Sequence, residues 1–140
     1  MKIAVLDTNG AGIGQAIIKK IHKENIKDIY IIALGTNSYA TSKMVKSGAN
    51  VGISGERSIC DFCKTNKIDA VISTIDVLIR SEDNQELTPM ICKYIINMSC
   101  KKYILPMKKN NIYIPNTSKL QIKDMIEDII SDIKTLSNIK

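Results

Sequence analysis

The residues of this chain best suited to chemistry run from position 7 to position 14, Asp-Thr-Asn-Gly-Ala-Gly-Ile-Gly. Glycines alternate at 10, 12 and 14, after a short apolar run (Ile3, Val5, Leu6) and before apolar residues at helical spacing (Ile13, Ile17, Ile18, Ile21). Such a strand-to-helix junction lets the backbone turn sharply and brings bare N–H groups close to a ligand. The positive end of the helix dipole favours an anion at the same place. The chemistry is the holding of a phosphate, so Asp7, Asn9, Gly10, Ala11, Gly12, Ile13 and Gly14 are candidate cofactor-binding residues. A second set, Gly35, Thr36, Asn37 and Ser38, closes the next apolar run and is placed to meet a sugar hydroxyl or a further phosphate. Asp7 is the one acid in this cleft, either a proton-transfer group or an acceptor for loop N–H groups. No catalytic constellation is legible.

Other chemistry-bearing residues point less far. Cys60 and Cys63 have C-x-x-C spacing, but they fall inside a helical pattern, and no second pair completes a zinc knuckle. His22 stands alone on the first helix. No metal site is expected, and the four cysteines read as buried thiols of a reducing compartment. Net charge is +6, nearly all from scattered lysines; Arg57 and Arg80 are the only arginines. With no Trp and one Phe, the stacking platforms of single-strand binders are missing, so nucleic acid is disfavoured as a partner. No apolar run is long enough to span a bilayer, and the amino terminus enters a strand at once without a signal-peptide block. A cytoplasmic protein with a small phosphate-bearing ligand is the expectation.

The elements that must position these residues follow from hydrophobic periodicity. Asp28–Leu34 reads as a second buried strand. Asn37 or Ser38 caps a helix over Ala40–Lys46 that Gly48 ends. Val51–Ile53 is a third strand, Glu56–Thr65 a helix with Ile59, Phe62 and Cys63 on one face, and Asp69–Ile75 a fourth strand. Residues 76–87 read as a loop carrying a partly extended apolar segment. Thr88 caps, and Pro89 opens, a helix to about Met98. Lys101–Pro106 is a fifth strand, Asn111–Pro115 a sixth. Ser118 begins a final helix with Ile122, Ile126, Ile129, Ile133 and Leu136 on one stripe.

Alternation of strand and helix predicts an α/β fold: one Rossmann-like three-layer domain over residues 1–140, with a mainly parallel sheet of five or six strands and helices on both faces. In such sheets ligands bind beyond the carboxyl ends of the strands, where strand order reverses. If the first and fourth strands flank that point, residues 7–14 and 35–38 converge there with Ser54-Gly55 and Ser73-Thr74.

Thr8, Gly12, Ile13 and Gly14 resemble the Thr-Gly…Gly-Ile-Gly turn of short-chain dehydrogenases, shortened by one residue. That resemblance implies a nicotinamide cofactor, but Leu34 and Gly35 stand where an NAD binder carries a carboxylate at the tip of the second strand. For a 2′-phosphate, Lys43 or Lys46 is the nearby cation. Tyr39 and Lys43 match the Tyr-x-x-x-Lys spacing, yet lie on the wrong helix for that family's catalytic pair. Over nearly the full length, Met1–Val5, the 10–14 loop, Ala33–Ser38, Ala40–Ser42, Lys46–Ala49, Gly55-Glu56, Leu87–Pro89 and Lys102–Pro106 resemble an uncharacterised family of small bacterial Rossmann-like proteins. That resemblance implies the fold and lends no activity.

Three functions compete. The first is binding of a nucleotide or other phosphate-bearing small ligand at the glycine loop, with NADP or another nucleotide as cofactor. The second is an enzyme, a small NADP-type oxidoreductase or another catalyst on a phosphorylated substrate, in which Asp7 is the acid or base. The third is a non-catalytic interaction subunit: Leu120, Met125 and Ile130 beside the final stripe widen its apolar face enough to meet a second copy in a homodimer.

Overall fold

In chain order the elements are β1 (Lys2–Asp7), α1 (Gly12–Lys23), β2 (Tyr30–Gly35), α2 (Ser38–Lys46), β3 (Val51–Ser54), α3 (Glu56–Thr65), β4 (Ala70–Thr74), α4 (Ile75–Leu78), α5 (Pro89–Asn97), β5 (Lys101–Leu105) and α6 (Ile122–Ile139). They come from a computed structural model that describes residues 1–78, 89–107 and 112–139. The strands form one five-stranded sheet in the order β3-β2-β1-β4-β5, every pairing parallel.

Strands β1, β2 and β4 are apolar almost throughout because the sheet is covered on both sides, where an alternating pattern would leave one face in water. On one face Ile3, Val5, Ile31, Ala33 and Ile72 pack with Ile17, Ile18 and Ile21 of α1, Met44 of α2 and Ile126, Ile130 and Ile133 of α6. On the other, Ala4, Leu6, Ile32, Leu34 and Val71 pack with Ile59 and Cys60 of α3 and Ile91 and Ile95 of α5. Each fully buried Ile contributes on the order of 1.5–3 kcal/mol, so the isoleucines stand in for the missing aromatics. The edge strand β3 is largely exposed.

Several boundaries differ from the sequence reading. The expected sixth strand is not one over its described part, residues 112–115. Instead the Ile114 carbonyl accepts the Thr117 hydroxyl and N–H, at 2.6 and 3.3 Å, which closes a turn. The final helix starts at Ile122, not Ser118, because residues 117–120 form a further turn, with the Leu120 N–H on the Thr117 carbonyl. Ile130, expected beside the buried stripe, is in the core, while Ile122 is exposed. Ile75–Leu78 is a helical turn rather than a loop; residues 79–87 and the expected cap Thr88 lie outside the described residues. Asn37, not Ser38, caps α2, its side chain accepting the Ala40 N–H at 2.7 Å.

Lys134 of α6 lies 2.6 Å from the Glu24 carboxylate at the end of α1, which Lys20 also meets at 3.1 Å. Hydrogen bonds from Lys134 and then Lys20 hold the Glu24 carboxyl at about 2, below its ordinary 4.5. A carboxyl lowered on folding contributes stability above its unfolded pKa, and that contribution is lost as pH falls from 4.5 towards 2. Removing the ammonium in Lys134→Ala is expected to raise the Glu24 pKa in an NMR titration and to flatten the acid limb of the unfolding curve.

Candidate functional site

The reversal of strand order falls between β1 and β4, and the glycine loop opens there, over the carboxyl end of β1. The loop is held from beneath by Asp7, which is 8% exposed. Its carboxylate accepts the Thr8 N–H at 2.8 Å and the Gly14 N–H at 2.7 Å. Gly14 is the third residue of α1, so Asp7 does from the strand what a capping side chain does from the helix start; the cap position itself is Ala11, which offers none. In this geometry Asp7 is the acceptor of loop N–H groups.

The glycines work differently from the sequence expectation. The left-handed residues of the loop are Asn9 and Ala11, at φ 51° and 54°, whereas none of Gly10, Gly12 and Gly14 has a positive φ. Asn tolerates that region; Ala11 is held there at a cost of roughly 1–2 kcal/mol, and strain of this kind collects at functional sites. Gly14 is needed for contact: a Cβ there would stand 2.7 Å from the Met44 sulfur and 3.1 Å from Asp7 Oδ2. Gly10 faces the Tyr39 ring, with Cε1 at 3.7 Å from where a Cβ would sit. Gly12 is exposed, and a Cβ there meets nothing within 4 Å. Of the first-turn donors of α1, Asp7 takes the Gly14 N–H, while among the described residues nothing accepts from the N–H of Gly12 or Ile13.

The second loop buttresses the first. The Thr36 N–H donates to the Asp7 carbonyl at 3.1 Å, the Thr36 hydroxyl to the Thr8 hydroxyl at 2.7 Å, and the Asn37 amide to the Asn9 carbonyl at 3.3 Å. The Gly35 carbonyl accepts the Gly55 N–H at 2.9 Å, and a Cβ on Gly35 would stand 2.6 Å from the Thr41 backbone nitrogen. Ser54 donates to Thr41 at 2.7 Å, so it too is absorbed by the fold. Ser38 is exposed at the first position of α2.

Beyond β4 the sequence reading paired Ser73 with Thr74, and the two differ. The Ser73 hydroxyl donates to the Thr74 carbonyl at 3.2 Å. The Thr74 hydroxyl is 3% exposed and has no hydrogen-bond partner among the described residues. The β1–β4 ladder ends where Val5 pairs with Ile72, and Thr74, two residues beyond Ile72, falls on the same face of the sheet, the one that α1 covers. A buried hydroxyl left unpaired costs about 1–3 kcal/mol, which a ligand oxygen in the crevice would recover.

The remaining chemistry-bearing residues lie elsewhere. Among the described residues no group of His, Cys, Asp and Glu could hold a metal ion. Burial pushes the Cys63 thiol up to about 11 and raises Cys60 and Cys92, so these thiols are poor nucleophiles. His22 joins α1 to the Gly48 carbonyl at 2.7 Å. A cavity of about 560 Å³, which the sequence reading missed, lies beyond β5 between Pro106 and Met125 and is lined by Ile112, Tyr113, Leu120 and Ile122. Its signal was the alternation of Ile112, Tyr113 and Ile114, spent on the expected sixth strand. No helix among the described residues is long and apolar enough to cross a membrane.

Stability should separate the glycines. Gly35→Ala is expected to lower the melting temperature strongly, since its Cβ meets backbone, whereas Gly12→Ala should leave it unchanged or raised, an effect worth about 0.4–1 kcal/mol. Thr74→Val should not destabilise the protein, because the hydroxyl it removes satisfies nothing. Thermal unfolding of the three variants checks all of this.

The chain matches the family model described as a domain of unknown function (DUF3842) over residues 2–138. Among solved structures it is similar to the dodecameric FMN-dependent UbiX-like decarboxylase from Escherichia coli O157:H7, with a TM-score of 0.56, at 11% identity, over 97% of this chain and 93% of that one. That likeness is one of α/β fold. No curated protein matches.

Proposed function

The chain belongs to this family of unknown function, and we propose, from its own residues, that it binds a nucleotide or another phosphate-bearing small ligand at the glycine loop. One observation supports the reading: at the reversal between β1 and β4, the N–H groups of Gly12 and Ile13 after β1 and the buried hydroxyl of Thr74 at the end of β4 have no hydrogen-bond partner among the described residues. Two backbone donors and a hydroxyl suit a phosphoryl group, which offers several acceptor oxygens and no donor. Asp7 partly neutralises the positive end of α1, so the anion depends on these donors more than on the dipole. Ala11, Asn9 and Gly10 shape the approach, Gly35, Thr36 and Asn37 hold it in place, and Ser38 stands exposed beside them. The similar structure is described as FMN-dependent, so FMN joins NADP, NAD, coenzyme A and sugar phosphates as a probe.

A thermal-shift screen tests the reading, since a ligand that binds only the native state raises the melting temperature with the logarithm of its saturation. At least one of these anions should stabilise the protein. Gly12→Val, whose Cβ has room, should fold and lose the shift; Thr74→Val should fold and bind about tenfold more weakly, as expected for one lost hydrogen bond of roughly 1.4 kcal/mol. A folded protein that responds to none of the probes overturns the reading.

Self-association is a second reading, supported by the apolar groove beyond β5. Tyr113 there is 80% exposed, with Leu120 and Ile122 also exposed. Light scattering should then show a dimer that Leu120→Glu converts to monomer; a wild-type protein that is monomeric at all concentrations removes this reading.

A further inference from the structure

Beside the glycine loop stands an aromatic side chain with no role in the core. Tyr39, in the first turn of α2, is 60% exposed, yet its ring edge closes on Gly10 of the loop. Leaving a large ring in water next to the site is not a packing solution, since α2 buries its opposite side through Ala40, Thr41 and Met44. Lys43, one turn on, places its ammonium 5.3 Å from the centre of the Tyr39 ring. The loop and the ring are adjacent and the cation lies over the ring, making a wall on the β2 side of the strand-order reversal, while Thr74 ends β4 on its other side. Chemically the wall is asymmetric. The Gly12–Ile13 and Thr74 end offers hydrogen-bond donors for a phosphoryl group; the Tyr39 end offers an exposed aromatic ring with the Lys43 ammonium over one of its faces.

Resting on the phosphate-binding reading above, we infer that the ligand is a nucleotide whose planar heterocycle stacks on Tyr39, with Lys43 paired to an anionic group that the nucleotide carries beyond the phosphate on the loop. A sugar phosphate or a bare polyphosphate would leave the Tyr39 ring unused, and an uncharged nucleoside would leave the donors at Gly12 and Ile13 unused. The tip of β2 carries Gly35 and Thr36, so that position places no carboxylate against a second anionic group. Asp7 is the nearby acid, and its carboxylate is turned to the Thr8 and Gly14 N–H groups.

The test compares AMP, FMN, NADP and NAD with inorganic pyrophosphate by calorimetric titration of the full chain and its Tyr39→Ala, Tyr39→Phe, Lys43→Gln and Gly12→Val variants. Tyr39→Ala should weaken the bound nucleotide roughly 5- to 100-fold, the span of base–aromatic stacking, and leave pyrophosphate within about twofold. Tyr39→Phe should keep wild-type nucleotide affinity, because stacking needs the ring and not the hydroxyl. Lys43→Gln should reduce the preference for NADP over NAD. All four substitutions fall at exposed or part-exposed positions outside the core, and circular dichroism confirms their fold. If Gly12→Val abolishes nucleotide binding while Tyr39→Ala leaves it unchanged, the stacking inference is overturned and the phosphate site stands. If pyrophosphate binds as tightly as every nucleotide, the ligand is not a nucleotide and the inference is likewise overturned. If the wild-type chain binds none of the five probes, the phosphate reading falls and takes the inference with it.

Discussion

A carboxylate at the end of the central strand, facing the N–H groups of Thr8 and Gly14, is the constraint around which the upper edge of the molecule is arranged. It fixes where α1 begins, because the third residue of that helix must present its N–H to Asp7 at 2.7 Å. That proximity leaves no volume for a side chain at position 14, where Met44 of the neighbouring helix already fills the space. Loop, helix start and helix–helix packing are therefore one decision rather than three. The left-handed backbone at Asn9 and Ala11 is its consequence: the chain must leave the strand and return over it within four residues.

The second loop has no comparable independence. Besides capping α2 through Asn37, it is tied to the first loop and to the residue after β3, through Thr36 to Asp7 and Thr8, Asn37 to Asn9, and Gly35 to Gly55. Two loops tied to each other in this way are held in one arrangement, and a ligand bound at the proposed site would have little left to order. Among the groups left without a partner in the described residues are the N–H groups of Gly12 and Ile13 and the Thr74 hydroxyl, with the Tyr39 ring exposed beside Gly10.

Much of this was legible in the residues. Strand–helix alternation and the unbroken apolar runs of β1, β2 and β4 dictate a covered parallel sheet, and the reversal between β1 and β4 follows from the expected connectivity. The position of the glycine loop was legible too, but its mechanics were not. Sequence makes glycine the natural candidate for a left-handed turn, whereas Asn9 and Ala11 take those angles, and Gly14 is small because a sulfur atom from another helix lies against it. A contact between residues 30 positions apart leaves no local pattern. Thr74 was likewise indistinguishable from Ser73, since only the register of β4 against β1 decides which hydroxyl stays unpaired. The Ile-Tyr-Ile alternation at 112–114 read as a strand because periodicity cannot reveal that Thr117 has already claimed the Ile114 carbonyl.

The placement of α6 bears on how the chain folds. Ile126, Ile130 and Ile133 complete the same core layer as Ile3 and Val5 of the first strand, and Lys134 reaches Glu24 across 110 positions of sequence. Until α6 docks, the part of this layer that Ile126, Ile130 and Ile133 cover stays open even where β1, α1 and β2 have formed, so the core closes only through contacts of very long sequence separation. Contacts so distant in sequence cost loop-closure entropy before they are rewarded, so the docking of α6 is expected among the late steps of folding.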